Sequence, residues 1–303
     1  MTETIRSDPM IVILTALDIE HGAVRARMTG VEQRSHRAGT LFDVGTLDDW
    51  PGCTVALAVT GMGNDKAAAL AERAVAEFSP AAILFVGVAG SLREWLQLGD
   101  VVVADKVYAY QGGRSVDEGL LSRPRAWELS HCADQIARSL KRDGTWSRCL
   151  SEEIRGNTPR VHLGPIAAGD VVLDSKLSDV ADLLHKNYND AVAVEMESAG
   201  LALAGHLNAN IPAVTIRGIS DHAGGEKELT DREGWQGPAS RNAAAFAVAL
   251  AAALDDGRDG EGSAKEEPAV LPSPGPTLIA RDNARVRHQI GVINGGANFG
   301  GEK

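Results

Sequence analysis

Apolar and polar positions alternate along the chain in blocks, and the blocks change period. MIVILTAL (Met10–Leu17) is a continuous apolar run of strand length, followed by a helical pattern from Asp18 to Met28. CTVALAVT (Cys53–Thr60) predicts a second strand that ends in Gly61-Met62-Gly63, and DKAAALAERAVAEF a helix. AAILFVGVAG (Ala81–Gly90) and DVVVADKVYAY (Asp100–Tyr110) read as strands, Arg125–Lys141 as a helix, and HLGPIAAG (His162–Gly169) as extended. AVAVEM (Ala191–Met196) predicts a short strand, Ser198–Leu207 a helix, PAVTIRGIS (Pro212–Ser220) a strand, and Ala239–Leu254 a closing helix. Strands alternating with helices, with glycines at strand ends, predict an α/β sandwich whose strand-end loops bind ligand.

Beyond Leu254 the pattern stops. Asp255–Pro276 is charged, then proline-rich, and reads as a flexible linker. In the last segment, 277–303, QIGVINGGANF (Gln289–Phe299) combines β-branched and amide side chains with no charge and no proline. That composition suits in-register stacking. The expected organisation is therefore a domain over 1–254, a linker over 255–276 and a β-prone tail over 277–303.

Aromatic residues make up 4% of the 303-residue chain while Ala and Gly abound, which favours close helix–sheet packing over an aromatic-rich β-sandwich. A formal charge of −11 argues against general nucleic-acid binding, which depends on Lys and Arg neutralising phosphates. Three cysteines, Cys53, Cys132 and Cys149, lack C-x-x-C spacing, so neither a zinc site nor a disulfide framework is expected. MTETIRSDPM has no apolar signal core, and no run approaches the roughly 18 apolar residues of a membrane span. The expectation is a soluble, cytoplasmic protein needing no metal or cofactor.

Glu195 and Glu197 stand inside AVAVEMESAGLALAG, a stretch otherwise of Ala, Val, Leu, Met, Ser and Gly. Carboxylates there must be paired, hydrogen-bonded or in use. Glu20 and Asp221 also follow apolar strands. Each acid has a plain structural reading: Glu20 as a first-turn helix acid, Asp221 as a cap or turn residue, Glu197 as a helix opener. Together, the acids would converge at one sheet edge.

ALDIE, TGMGNDKAAA, VGVAGSL, GDVVVAD, GPIAAGD, AVEMESAG and IRGISDHA, spread over Met10–Leu254, resemble the nucleoside phosphorylase/nucleosidase superfamily. The likeness is closest to its 5′-methylthioadenosine/S-adenosylhomocysteine nucleosidase branch. The resemblance implies a three-layer αβα sandwich with a mixed central sheet. It gives Asp221 the protonation of purine N7, with Ser220 orienting it. Glu197 and the Met196 backbone would hold the ribose hydroxyls, and Glu20 would activate water with Arg217 helping to position it. Val172 and Leu173 would frame the base, Gly90 would line the substrate site, and Glu195 would support the site from behind. Asp rather than Asn at position 221 favours a 6-amino purine.

The phosphorylase branch carries arginines for phosphate. Here the first loop offers Asp18 and Glu20, and the second Phe85 and Val86, so water is the expected nucleophile. Val88 stands where many nucleosidases have a small polar residue, and Val172 where they have an aromatic. The insertion Tyr108–Ser130 brings Arg114, Arg123 and Arg125, either as a solvated surface loop or as a grip on a 5′-phosphate. That insertion and the closing helix are similar to nucleosidase-like effector domains of bacterial immune systems. RDNARVRHQIGVINGGANFG is similar to amyloid-signalling motifs shared with NACHT/STAND-type sensor ATPases. Three readings stay open: an adenine nucleoside or nucleotide N-glycosidase acting as a regulated effector, a housekeeping nucleosidase, or a non-catalytic adenine sensor. The resemblance also implies a homo-oligomer, dimer or larger.

Overall fold

The computed structural model describes residues 10–117, 119–151, 158–224 and 234–262. Twelve strands appear among them: β1 (Ile11–Thr15), β2 (Met28–Ser35), β3 (Leu41–Leu47), β4 (Trp50–Val59), β5 (Ala82–Ser91), β6 (Val101–Ala109), β7 (Gly113–Val116), β8 (Gly119–Ser122), β9 (Arg125–Glu128), β10 (Val161–Ala168), β11 (Ala193–Glu195) and β12 (Ala213–His222). The α-helices are α1 (Asp18–Arg25), α2 (Asn64–Phe78), α3 (His131–Asp143), α4 (Asp179–Asn187), α5 (Ser198–Leu207) and α6 (Gln236–Gly262), with a short 3₁₀ turn at Thr145–Cys149.

A mixed ten-stranded sheet runs β11-β10-β6-β12-β5-β1-β4-β3-β2, with β9 added to β6 and a second pairing of β11 with β5. The strand period of two sorts its side chains to opposite faces. Ile11 and Ile13 of β1 and Leu84 and Val86 of β5 pack on one side with Val24 of α1, Ala133 and Ala137 of α3, and α6. Val12 and Leu14, with Ile83 and Phe85, pack on the other against Ala67, Ala71 and Ala74 of α2 and Leu201 of α5. The result is the expected three-layer αβα sandwich with a mixed sheet. Small residues set the helix spacing: a Cβ on Gly200 of α5 would run into the backbone carbonyl of Asn64.

Several expectations change. β2 and β3 carry no clean apolar alternation, because β2 is an outer strand with only Met28 buried, so register against β3 defines it. The helix expected over Arg125–Lys141 begins only at His131, where Ser130 caps it by accepting a hydrogen bond from Ala133 N–H. Arg125–Glu128 instead pairs with Ala109–Lys106 as β9. Much of the insertion expected as a loop is a β7–β8 hairpin. α6 continues to Gly262, through the expected start of the linker at Asp255, and the first compact unit extends to Asp259. The rest of that linker, 263–276, and the tail motif lie outside the described residues. Among the described residues, no helix is long and apolar enough to cross a membrane.

Candidate active site

A change of partner along β5 makes the site. Its first half, Ala82–Phe85, pairs with β1, while Gly90 and Ser91 pair antiparallel with Val194 and Ala193 of β11. On its other side β12 accompanies β5 from Ile83 to Ser91. Between the end of β1 and the arrival of β11, residues 86–89 have no strand on that side among the described residues. The opening lies inside the sheet, not at an edge as the sequence suggested.

Glu20 fills part of this opening. Its Oε1 accepts a hydrogen bond from Val88 N–H at 2.8 Å, and its Oε2 accepts from Ala16 and Leu17 N–H at 2.8 and 2.9 Å. The side chain thus ties the first turn of α1 to β5, and its helix-terminal role and its place in the cavity coexist. Burial pushes its carboxyl above the usual range, opposed by Arg217 and the three amides.

Glu195 ends β11 and its carboxylate accepts hydrogen bonds from the Glu197 and Ser198 N–H groups at the start of α5. Glu197, the N-cap residue of α5, accepts from Gly63 N–H through Oε1 at 3.2 Å and from Arg217 Nη2 through Oε2 at 3.1 Å. Arg217 Nη2 also pairs with Glu195. The guanidinium is fully buried, 4.7 Å from the centre of the Phe85 ring, and its Nε and Nη1 have no hydrogen-bond partner among the described residues. Gly87 makes this crowding feasible, since a Cβ there would collide with both Arg217 Nη1 and Glu20 Oε1. One guanidinium therefore faces three carboxylates. Burial pushes Glu197 up to about 7, with Arg217 opposing and Glu195 adding to the rise. Burial disfavours the Arg217 cation, but Glu195, Glu197 and Glu20 outweigh it and hold the guanidinium charged.

Asp221 stands in β12 just past a register shift between Ile219 and Asp221, so it is a strand residue and not the cap or turn the sequence allowed. Ser220 Oγ donates to its Oδ2 at 2.8 Å, while Oδ1 lies over Gly90, where an added Cβ would approach to 2.8 Å. Glu20, Gly90, Val172, Leu173, Glu195, Met196, Glu197, Ser220 and Asp221 line a single cavity of about 420 Å³, together with Met62 and Val88. Arg217 acts from beneath and is not in its lining. Arg114, Arg123 and Arg125 are exposed on the β7–β9 segment and line no part of it.

Two functional contributions escaped sequence reasoning. Gly63 supplies the amide that holds Glu197, and Asn64 clamps Asp170 through its backbone and side-chain N–H at 2.9 and 3.0 Å. The clamp joins the first residue of α2 to the loop carrying Val172. Their only signal was the TGMGN strand end, which marks a ligand-side loop without saying which amide is used. Among the described residues, no group of three His, Cys, Asp or Glu side chains has a metal-holding arrangement.

This geometry has two ends. At one, an acid flanked by a hydroxyl can hydrogen-bond or protonate a heteroatom. At the other, surplus carboxylate charge favours a cationic centre and disfavours an anionic one. The sequence profile of the Phosphorylase superfamily matches residues 10–254. A 5′-methylthioadenosine/S-adenosylhomocysteine nucleosidase of Oceanobacillus iheyensis is 28% identical over 238 residues, covering 78% of this chain and 96% of the relative. An ATP nucleosidase of Escherichia coli is 25% identical over 240 residues, covering 73% of this chain but only 47% of that longer protein. Among solved structures, a methylthioadenosine/S-adenosylhomocysteine nucleosidase of Colwellia psychrerythraea in complex with adenine superposes with a TM-score of 0.67 at 25% identity. That match covers 82% of this chain and 96% of the other.

Proposed function

The chain belongs to the phosphorylase superfamily, and from that premise we propose that it is a purine N-glycosidase. It hydrolyses the N-ribosidic bond of an adenine nucleoside or nucleotide. The observation that carries this reading is the meeting of Glu20, Glu197 and Asp221 around one cavity, with Arg217 buried beneath. Breaking the C1′–N9 bond sends its electron pair to the purine and leaves positive charge on the sugar. Asp221 Oδ1 gives its proton to N7, while Ser220 Oγ holds Oδ2. Glu197 and the Met196 backbone hold the ribose hydroxyls. Glu20 takes a proton from the incoming water, whose oxygen bonds C1′. Glu195 and Arg217 are positioning residues here, which differs from the resemblance: Arg217 hydrogen-bonds Glu195 and Glu197, not Glu20.

Water suits this site better than phosphate, because the guanidinium is committed to carboxylates and surplus negative charge repels an anion. The group on the ribose 5′ carbon distinguishes the candidate substrates. ATP is favoured by the Escherichia coli relative, and methylthioadenosine or S-adenosylhomocysteine by the Oceanobacillus one. The arginines of the insertion lend the nucleotide reading no support from within this cavity. Incubating the full chain with ATP, AMP, adenosine and methylthioadenosine and following free adenine decides among them. Adenine from ATP or AMP supports an effector-type enzyme, adenine from methylthioadenosine alone a housekeeping nucleosidase. Binding without any product would replace both with an adenine sensor. A requirement for phosphate, with ribose 1-phosphate formed, would overturn the role of Glu20.

The pH dependence follows from the carboxylates. The form of Glu197 that accepts hydrogen bonds from sugar hydroxyls is the anion. Its carboxyl titrates at about 7, above the ordinary 4.5, so the working form is depleted as pH falls below that point. With Glu20 displaced in the same direction, two carboxylates must be ionised, so kcat/KM is expected to fall below about pH 7 by about tenfold per unit, and by up to about a hundredfold per unit where both titrate together. A profile flat down to about pH 5 would contradict ionised carboxylates as the working state.

The proposal extends to a soluble, assembled enzyme, dimer or larger, regulated through its tail by a sensor carrying the same motif. A synthetic Arg281–Gly300 peptide is expected to form β-rich, dye-binding fibrils. A peptide that stays monomeric and disordered at high concentration would remove this part and leave the hydrolase reading intact.

A further inference from the structure

The active-site cavity has a neighbour of about 430 Å³ that shares Leu173 and Ala223 with it as a common wall. Strand alternation separates the two spaces. On β12, Asp221 lines the first and His222 the second; on β5, Gly90 lines the first and Ser91 the second. Their electrostatics are opposite. The second cavity is lined by Arg93, Lys176, His185 and His222 against one acid, Glu94, in a chain whose acids outnumber its Lys and Arg by 41 to 30.

The cationic side is built rather than incidental. Ser91 Oγ donates to the Arg93 carbonyl at 2.7 Å and accepts from Arg93 N–H at 3.0 Å, fixing the turn that presents this arginine. Arg93 Nη2 donates to the carbonyl of Asn189, another lining residue, which leaves the guanidinium other N–H groups to offer. The stem of Lys176 lies where a side chain on residue 224 would be. Gly224, at φ +139°, leaves that space open. Leu184, Tyr188 and Ala191 add an apolar floor.

We infer that this second cavity is a binding site for a small phosphate-bearing molecule of about nucleotide size, with its phosphate on Arg93 and Lys176 and its apolar part on Leu184 and Tyr188. Paired guanidinium and ammonium groups suit phosphate oxygens, and a volume of this order suits a small metabolite. Because His222 and Asp221 are consecutive on one strand and the wall is shared, occupancy here couples to the purine end of the active site.

Calorimetric titration of the full chain with inorganic pyrophosphate at about 0.15 M salt tests this without any turnover. Wild type and Glu20→Gln are expected to bind one equivalent each. Lys176→Glu, a reversal at an exposed position that the fold tolerates, is expected to weaken binding by about tenfold or more, and Arg93→Ala likewise. Saturating adenine, which fills the other cavity, is expected to leave a pyrophosphate site available. No binding by wild type, binding unaltered in Lys176→Glu, or full displacement by adenine would each overturn the site. None of these outcomes touches the hydrolase proposal, which is read by adenine release.

Discussion

Asp221→Asn is expected to lower kcat for adenine release by about 10²–10⁴-fold while the protein stays folded and still binds nucleoside. The substitution is nearly isosteric. Ser220 Oγ can still donate to the amide oxygen as it does to Oδ2 at 2.8 Å, and the buried position over Gly90 is kept. What disappears is the proton for N7, so negative charge accumulates on the departing base with nothing to neutralise it. Single-turnover rates give the chemical step, and unchanged thermal unfolding with retained binding of an unreactive adenine analogue excludes a folding defect. A variant that turns over at the wild-type rate would mean that another group protonates the base, and the division of roles along the cavity would fail.

Arg217→Met carries the second large effect, on stability. The guanidinium is fully buried and ion-paired with Glu195 and Glu197, while Glu20 adds a further nearby negative charge. Removing one partner of a buried pair leaves the other uncompensated, with typical losses of about 3–5 kcal/mol. For a domain of this size that corresponds to a fall in Tm of about 6–20 °C. Without Arg217 the carboxylates hold their protons to higher pH, so the deficit should be greatest at alkaline pH and should shrink on acidification as they neutralise. Thermal melts of variant and wild type across that range measure it. Equal Tm values at alkaline pH would show that Arg217 does not compensate the carboxylate cluster.

Much of the core was legible because strands buried on both faces must be apolar throughout. Cys53–Thr60 and Ala81–Gly90 mark β4 and β5 to within three residues, and Ser198–Leu207 coincides with α5. β2 was not legible, since an exposed outer strand needs no apolar alternation and exists by pairing with β3. Trp127 looked helical for a similar reason: cross-strand contact with Val107 overrides the local pattern.

By itself the chain determined its α/β class, the strand-end glycines and the presence of acids that had to find partners, because apolar period and buried charge are local properties of sequence. Only the tertiary structure decided that β11 replaces β1 beside β5 and opens a gap for Glu20. It also decided that Arg217 faces Glu195 and Glu197, and that Arg114, Arg123 and Arg125 stay away from the cavity. Those outcomes depend on pairing between strands a hundred residues apart in sequence, on the order of the distance separating β5 from β11, and no local pattern encodes such a choice.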